Sequence, residues 1–195
     1  MALHTVESMV VTRIIAVTGT QGSGKSVFTD IANKKYQIPT YRLGNVIIQE
    51  CKERGMAVNG RNMAKMASIL RFEGGDQAVA QKALPAIREL YEKKPKAILI
   101  DGIRSFSELS LFREAFGEVT LVAIISTLKT RRKRIKARKR LDHKYEGDFE
   151  EREQRELGFG LGNVITKADY YILNENLTKE QFINEIERLL QELLE

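Results

Sequence analysis

The sequence predicts a single α/β domain: a parallel sheet covered on both faces by helices, a three-layer sandwich. Two observations carry this. Short apolar runs alternate with helical segments, the pattern of parallel strands joined by crossover helices. The first run, Ile14–Thr18, leads directly into Gly19-Thr20-Gln21-Gly22-Ser23-Gly24-Lys25-Ser26, and Val27–Ala32 then opens a helix. A glycine-rich turn between a strand and a helix sits where open parallel sheets bind ligands.

That turn has the form G-x-x-x-x-G-K-S. Glycines allow the backbone to bend tightly and aim several N–H groups inward at a polyphosphate. The following helix adds its unpaired N–H groups and the positive end of its dipole. The pattern assigns Gly19, Thr20, Gln21, Gly22, Ser23, Gly24, Lys25 and Ser26 to a phosphate-binding loop. Lys25 is expected to reach the β- and γ-phosphates and the Ser26 hydroxyl to ligate Mg²⁺.

The remaining elements follow in order. Gln37–Tyr41 reads as a second strand, with Arg42, Leu43 and Gly44 at its C-terminal end. Three helices are expected before the next strand: Asn45–Arg54, Arg61–Phe72, and one capped by Asp76 that runs to about Lys93. Three helices exceed what one crossover needs, so residues 43–94 are expected to form a substrate-binding insert. Ala97–Asp101 is an apolar strand ending in a carboxylate, which places Asp101 beside the expected metal. Arg104 follows closely enough to point into the same cleft. Ser105 and Glu108 form a capping box for a helix to about Phe116, and Val119–Ile125 is a continuous apolar strand. Lys129–Arg140 then reads as a basic helix, residues 142–148 as a polar tip and Phe149–Leu157 as a returning helix, together a lid over about 129–158. Asp169–Leu173 is the last strand, and a Thr178/Gln181 capping box opens a helix with an apolar stripe from Phe182 to Leu194.

Length and composition suit one domain: the 195 residues carry ordinary apolar and charged fractions. The single cysteine, Cys51, excludes an internal disulfide and fits a cytoplasmic protein. No apolar run approaches membrane-spanning length. Residues 1–8 read as an N-terminal extension and 9–195 as the domain. The net charge of +6 is local. Nine basic residues fall within Lys129–Arg140, leaving 23 of the 32 against 26 acidic ones. That stretch has no aromatic residue for base stacking, so nucleic-acid binding is possible but not favoured.

These residues resemble the nucleoside monophosphate kinase group of P-loop NTPases. More narrowly, the chain resembles an uncharacterised, mainly archaeal nucleotide-kinase-like family. The resemblance rests on Gly19–Ser26, Asp101-Gly102-Ile103-Arg104-Ser105, Arg152-Glu153-Gln154-Arg155-Glu156-Leu157 and Ala168–Asn174. The last segment, and the spacing of Lys133-Arg134 to Arg138, are similar to dephospho-coenzyme A kinases. The resemblance implies a five-stranded sheet in the order 2-3-1-4-5, Arg134 on the adenine side, Arg138 reaching the phosphates and Asn174 bordering the base. Tyr41–Glu50 looks like the segment with which adenylate kinases hold the acceptor. Ile48 stands where that group places an arginine, so Arg42, Arg71 and Arg104 are the expected substitutes. Dephospho-coenzyme A kinases carry an aspartate base after the second strand, whereas Tyr41–Gly44 has no carboxylate. A hydroxyl acceptor benefits from a base, while a phosphate acceptor needs mainly positioning and charge neutralisation.

The resulting expectation is an ATP- and Mg²⁺-dependent phosphotransferase acting on a nucleotide or nucleotide-like small molecule. Its expected catalytic residues are Lys25, Asp101, Arg134 and Arg138, with Arg152 and Arg155 assisting closure. Ser26 and Asp101 are the expected metal ligands. Two alternatives stand beside it: a P-loop ATPase or regulatory switch without a small acceptor, and a dephospho-coenzyme A kinase-like activity.

Overall fold

A computed structural model of the chain describes residues 11–137 and 148–195. The expected extension 1–8, the tip at 142–147 and Arg138 lie outside the described residues.

Five parallel strands form one sheet in the order β2-β3-β1-β4-β5. They are β1 (Arg13–Thr18), β2 (Thr40–Arg42), β3 (Ala97–Asp101), β4 (Val119–Ile125) and β5 (Tyr170–Leu173). The central strand β1 alternates its side chains between the two faces, as pleating requires. Ile14 and Ala16 join Ile98, Ile100 and Leu121 on one face; Ile15 and Val17 join Leu99, Val122 and Ile124 on the other.

Each face has its own helices. The second face is covered by α1 (Lys25–Lys34) and α9 (Lys179–Leu194), through Phe28, Ala32, Phe182, Ile186 and Leu190. The first is covered by α2 (Gly44–Glu53), α3 (Gly60–Gly74), α4 (Ala78–Glu92) and α5 (Phe106–Phe116). Three of these, α2 to α4, lie between β2 and β3. A charged arm follows β4: α6 (Leu128–Ala137), α7 (Asp148–Gly158) and the short α8 (Leu161–Ile165). Among the described residues no helix is long and apolar enough to cross a membrane.

Both capping boxes form, at Ser105/Glu108 and Thr178/Gln181. Several element ends differ by a residue or two from the sequence reading, and three of the differences have a visible cause. β2 begins at Thr40 because Gln37 takes a left-handed conformation, φ 53°, and the Ile38 N–H bonds back to the Ala32 carbonyl. Gln37 and Ile38 therefore close off α1, and bonding to β3 begins at the Pro39 carbonyl, which accepts from the Leu99 N–H at 2.9 Å. Asp76 does not cap α4: Gln77 holds the cap position without a side-chain bond, and the Asp76 carbonyl accepts from Ser105 Oγ. Asp169 precedes β5, where its carboxylate accepts from the Leu121 N–H at 2.7 Å.

Candidate active site

The strands deliver their C-terminal ends to one edge of the sheet. Val17 of β1 stands beside Asp101 of β3, which stands beside Arg42 of β2. The Gly102 N–H donates to the Val17 carbonyl, so the turn after β3 is tied to the strand that enters the glycine-rich loop.

The loop runs from Gly19 to Gly24, and two of its glycines are obligatory on geometric grounds. Gly19 has φ 138°, and a Cβ there would meet the Ile124 carbonyl oxygen at 2.3 Å. Gly24 has φ 119°, and a Cβ there would lie 2.6 Å from Asn174 Nδ2 and 2.8 Å from the Phe182 ring. Neither space nor backbone conformation admits a side chain. α1 starts at Lys25, so its first N–H groups adjoin the loop.

Lys25 Nζ donates to the Gly19 carbonyl and, at 3.0 Å, to that of Thr20. Burial lowers its pKa to about 8, against the opposing pull of Glu156 and Asp101. Ser26 follows at the head of α1. Lys25, Ser26 and Asp101 line one cleft of about 270 Å³ together with Arg42, Arg104 and Arg152. Gln21 and Ile135 close its side. No group of three or more His, Cys, Asp or Glu side chains with metal-binding geometry occurs among the described residues. A hydroxyl and one carboxylate at a phosphate-binding loop fit Mg²⁺, which usually takes one or two protein ligands and fills its octahedron with water and substrate phosphates.

The expected charge set is distributed unevenly. Arg42 Nε lies 3.6 Å from Asp101 and its Nη2 3.4 Å from Asp30, half-exposed at the mouth. Arg104 enters the cleft from the turn after β3. Its N–H is fixed by Glu108 Oε2 at 2.7 Å, and its Nε donates to Glu156 Oε1 at 3.3 Å. Arg71 is not in the cleft lining. It is buried against Glu108 Oε1 at 2.6 Å with its guanidinium over the Phe159 ring, so it touches the site only through the carboxylate that anchors Arg104. Burial raises the Glu108 pKa and lowers that of Arg71, so desolvation outweighs the attraction within the pair.

Arg134 also lies outside the lining. Its guanidinium donates to Ser126 Oγ at 2.9 Å and to the carbonyl and side-chain oxygens of Asn174, both at 3.0 Å. Asn174 in turn donates from Nδ2 to the Ser23 carbonyl at 2.8 Å. Arg134 and Asn174 therefore brace the back of the loop. The arm reaches the front of the loop too: Gln21 Nε2 donates to the Phe149 carbonyl at 2.6 Å.

Glu156 is the site feature that the sequence reading missed. It is buried on α7, and its Oε1 accepts from Arg152 at 3.0 Å as well as from Arg104. Burial alone would raise its pKa, but Arg104, Arg152 and Lys25 hold it at about 2. The signal available in sequence was a carboxylate four residues after Arg152, the spacing of one helical face. Its second partner is 52 residues away, beyond local pattern.

The AAA domain family matches residues 15–158. A UPF0200 protein of the archaeon Thermococcus onnurineus is 41% identical over 184 residues, covering 93% of this chain and 98% of the relative. Among solved structures, a dephospho-CoA kinase from Campylobacter jejuni superposes with a TM-score of 0.57 at 17% identity, covering 92% of this chain and 96% of that one. A shikimate kinase from Bacteroides thetaiotaomicron superposes with a TM-score of 0.56 at 17% identity, covering 93% and 98%. At such identities the likeness to both kinases is one of fold.

Proposed function

The chain belongs to the AAA domain family and to the UPF0200 proteins, and from that membership we propose that it is a Mg²⁺-dependent phosphotransferase carrying the γ-phosphoryl of ATP to a nucleotide or nucleotide-like acceptor. One observation carries this reading. The cleft lining gathers four cations, Lys25, Arg42, Arg104 and Arg152, around a single carboxylate, Asp101. Such a cleft suits two phosphorylated reactants and their shared negative charge.

In this reading the loop N–H groups and Lys25 hold the donor's phosphates, and the Lys25 ammonium leaves its own loop carbonyls to do so. Ser26 and Asp101 would hold Mg²⁺, which when bound supplies charge neutralisation of the phosphate oxygens. Arg42 and Arg104 approach from the sheet edge and Arg152 from α7, a geometry that suits closure of a lid over the transferring group. Arg134 acts behind the loop, holding Asn174 and Ser126 in place. Arg138 is proposed to reach the phosphoryl from the arm.

Among the described residues Asp101 is the sole carboxylate in that lining, and it is proposed as a metal ligand, so these residues supply no separate base for a hydroxyl acceptor. That favours a phosphate acceptor over a dephospho-coenzyme A-like hydroxyl. The test is ADP formation from MgATP with a panel of nucleoside monophosphates and dephospho-coenzyme A. Lys25→Ala should abolish turnover, and Arg138→Ala should lose turnover more than ATP affinity. Full activity in Arg138→Ala would refute its lid role.

A second reading, a regulatory ATPase, draws on Ile48, an apolar residue of α2 where an acceptor-gripping arginine would fall. Turnover that rises only with an added protein or RNA, and with no small acceptor, would favour it.

A further inference from the structure

Two guanidinium groups meet one buried carboxylate at the junction of the arm and the sheet edge. Glu156 Oε1 takes the Nε protons of Arg152, 3.0 Å away, and Arg104, 3.3 Å away. Its side chain is 7% exposed, so water screens little of this interaction. The same carboxylate acts electrostatically on Lys25, the head of the phosphate-binding loop. Two guanidinium groups that share one oxygen repel each other. Without the anion between them they would splay, Arg152 towards solvent and Arg104 towards the Gly102 carbonyl it already contacts at 3.3 Å.

The bonding pattern fixes more than proximity. Both arginines give Glu156 their Nε edge. A guanidinium held by one edge still presents donors on another, in a fixed plane suited to an oxyanion. Arg104 is fixed at its backbone by Glu108, so only its side-chain direction remains to be set. Arg152 is set by its i,i+4 bond on α7. Glu156 thus aligns one arginine from each wall of the cleft, and both line it.

We propose that Glu156 is a positioning residue that locks Arg104 and Arg152 into a two-armed clamp for the phosphomonoester dianion of the acceptor, beside the triphosphate loop. This rests on the phosphotransferase reading and deepens it: it assigns the acceptor's phosphate to Arg104 and Arg152, with Arg71 outside the clamp. It also makes acceptor binding depend on arm docking, because Arg104 and Arg152 belong to different parts of the fold.

Charge and position predict opposite outcomes when Glu156 is removed. If the carboxylate merely added negative charge near the clamp, removing it would tighten anion binding. If it positions the arginines, removing it weakens anion binding.

The experiment uses the full chain with its loop filled by Mg²⁺ and a non-hydrolysable ATP analogue, followed by calorimetric titration with inorganic phosphate and, separately, AMP. The parent should bind both. Glu156→Ala should bind phosphate and AMP at least tenfold more weakly, a larger factor than any change in its affinity for the analogue, which Lys25 transmits through its charge. Glu156→Gln keeps the shape but not the charge, and should lose affinity in the same direction by a smaller factor. Equal or tighter phosphate binding in a folded Glu156→Gln protein would overturn the proposal. So would a parent that takes up the analogue but neither phosphate nor AMP. A parent that fails to take up the analogue would instead contradict the phosphotransferase reading itself, and the clamp with it.

Discussion

Arg131 of α6 and Glu153 of α7 face each other in a two-pronged ion pair, Nη1 to Oε2 at 2.7 Å and Nη2 to Oε1 at 2.6 Å. Both side chains are largely buried, 7% and 12% exposed, and Arg131 also reaches the Gln21 carbonyl of the loop. The pair therefore joins α6 and α7 to each other and to the phosphate-binding loop. Breaking one side of a buried pair strands a charge, which typically costs about 3–5 kcal/mol. Glu153→Ala and Arg131→Ala should each lower stability by an amount of that order. The double variant should cost clearly less than the sum, as denaturant unfolding of all four proteins would measure. Additive losses would mean that the pair does not couple the helices.

Lys25 gives two pH effects of opposite sign. Burial lowers its folded pKa to about 8 from 10.5, so between those values the unfolded chain holds a proton that the folded protein has released. Its contribution to stability therefore rises with pH through that window. An anion at the loop restores the proton, so ATP affinity should fall by up to tenfold per pH unit above about 8. Calorimetry at pH 8.5 in buffers of different ionisation enthalpy should show proton uptake on ATP binding, absent in Lys25→Met. Observed heats that do not vary with the ionisation enthalpy of the buffer would contradict the assignment.

Glu156 acts at the other end of the scale. Its folded pKa is held at about 2, below the ordinary 4.5, so the stability it contributes is present above pH 4.5 and lost as pH falls towards 2. Acid unfolding of the parent should be steeper over that range than that of Glu156→Gln. Coincident acid limbs would show that the carboxylate is not held by Arg104 and Arg152.

Arg71 is the residue whose role changed most between sequence and structure. Buried against Glu108, it should behave as a structural partner: Arg71→Ala should lose about 3 kcal/mol of stability, because Glu108 keeps its backbone donors but loses its buried counter-charge. Acceptor KM, measured at a temperature where the variant is folded, should change far less than in Arg104→Ala. A large KM effect with unchanged stability would return Arg71 to the acceptor site.

The contrast shows what local sequence carries. β3 and β4 were legible to the residue because buried parallel strands must be continuously apolar. The loop was legible because only glycine fits at Gly19 and Gly24, beside Ile124 and Phe182. Ser105 and Thr178 announced their helices through reciprocal caps. α8 went unread because five residues after Gly160 offer no helical period. The arginines were visible but interchangeable in sequence. Whether Arg71, Arg104, Arg134 or Arg152 faces the cleft depends on carboxylates and carbonyls tens of residues away, and pairing at that distance leaves no local pattern.

The most direct measurement is the rate of ADP formation from MgATP with and without a phosphate-bearing acceptor, in the parent and in Lys25→Ala. The account predicts turnover that a nucleotide-like phosphomonoester stimulates strongly and that Lys25→Ala abolishes. Failure of the folded parent to take up MgATP, or turnover indifferent to every acceptor and to loss of the Lys25 ammonium, would contradict it.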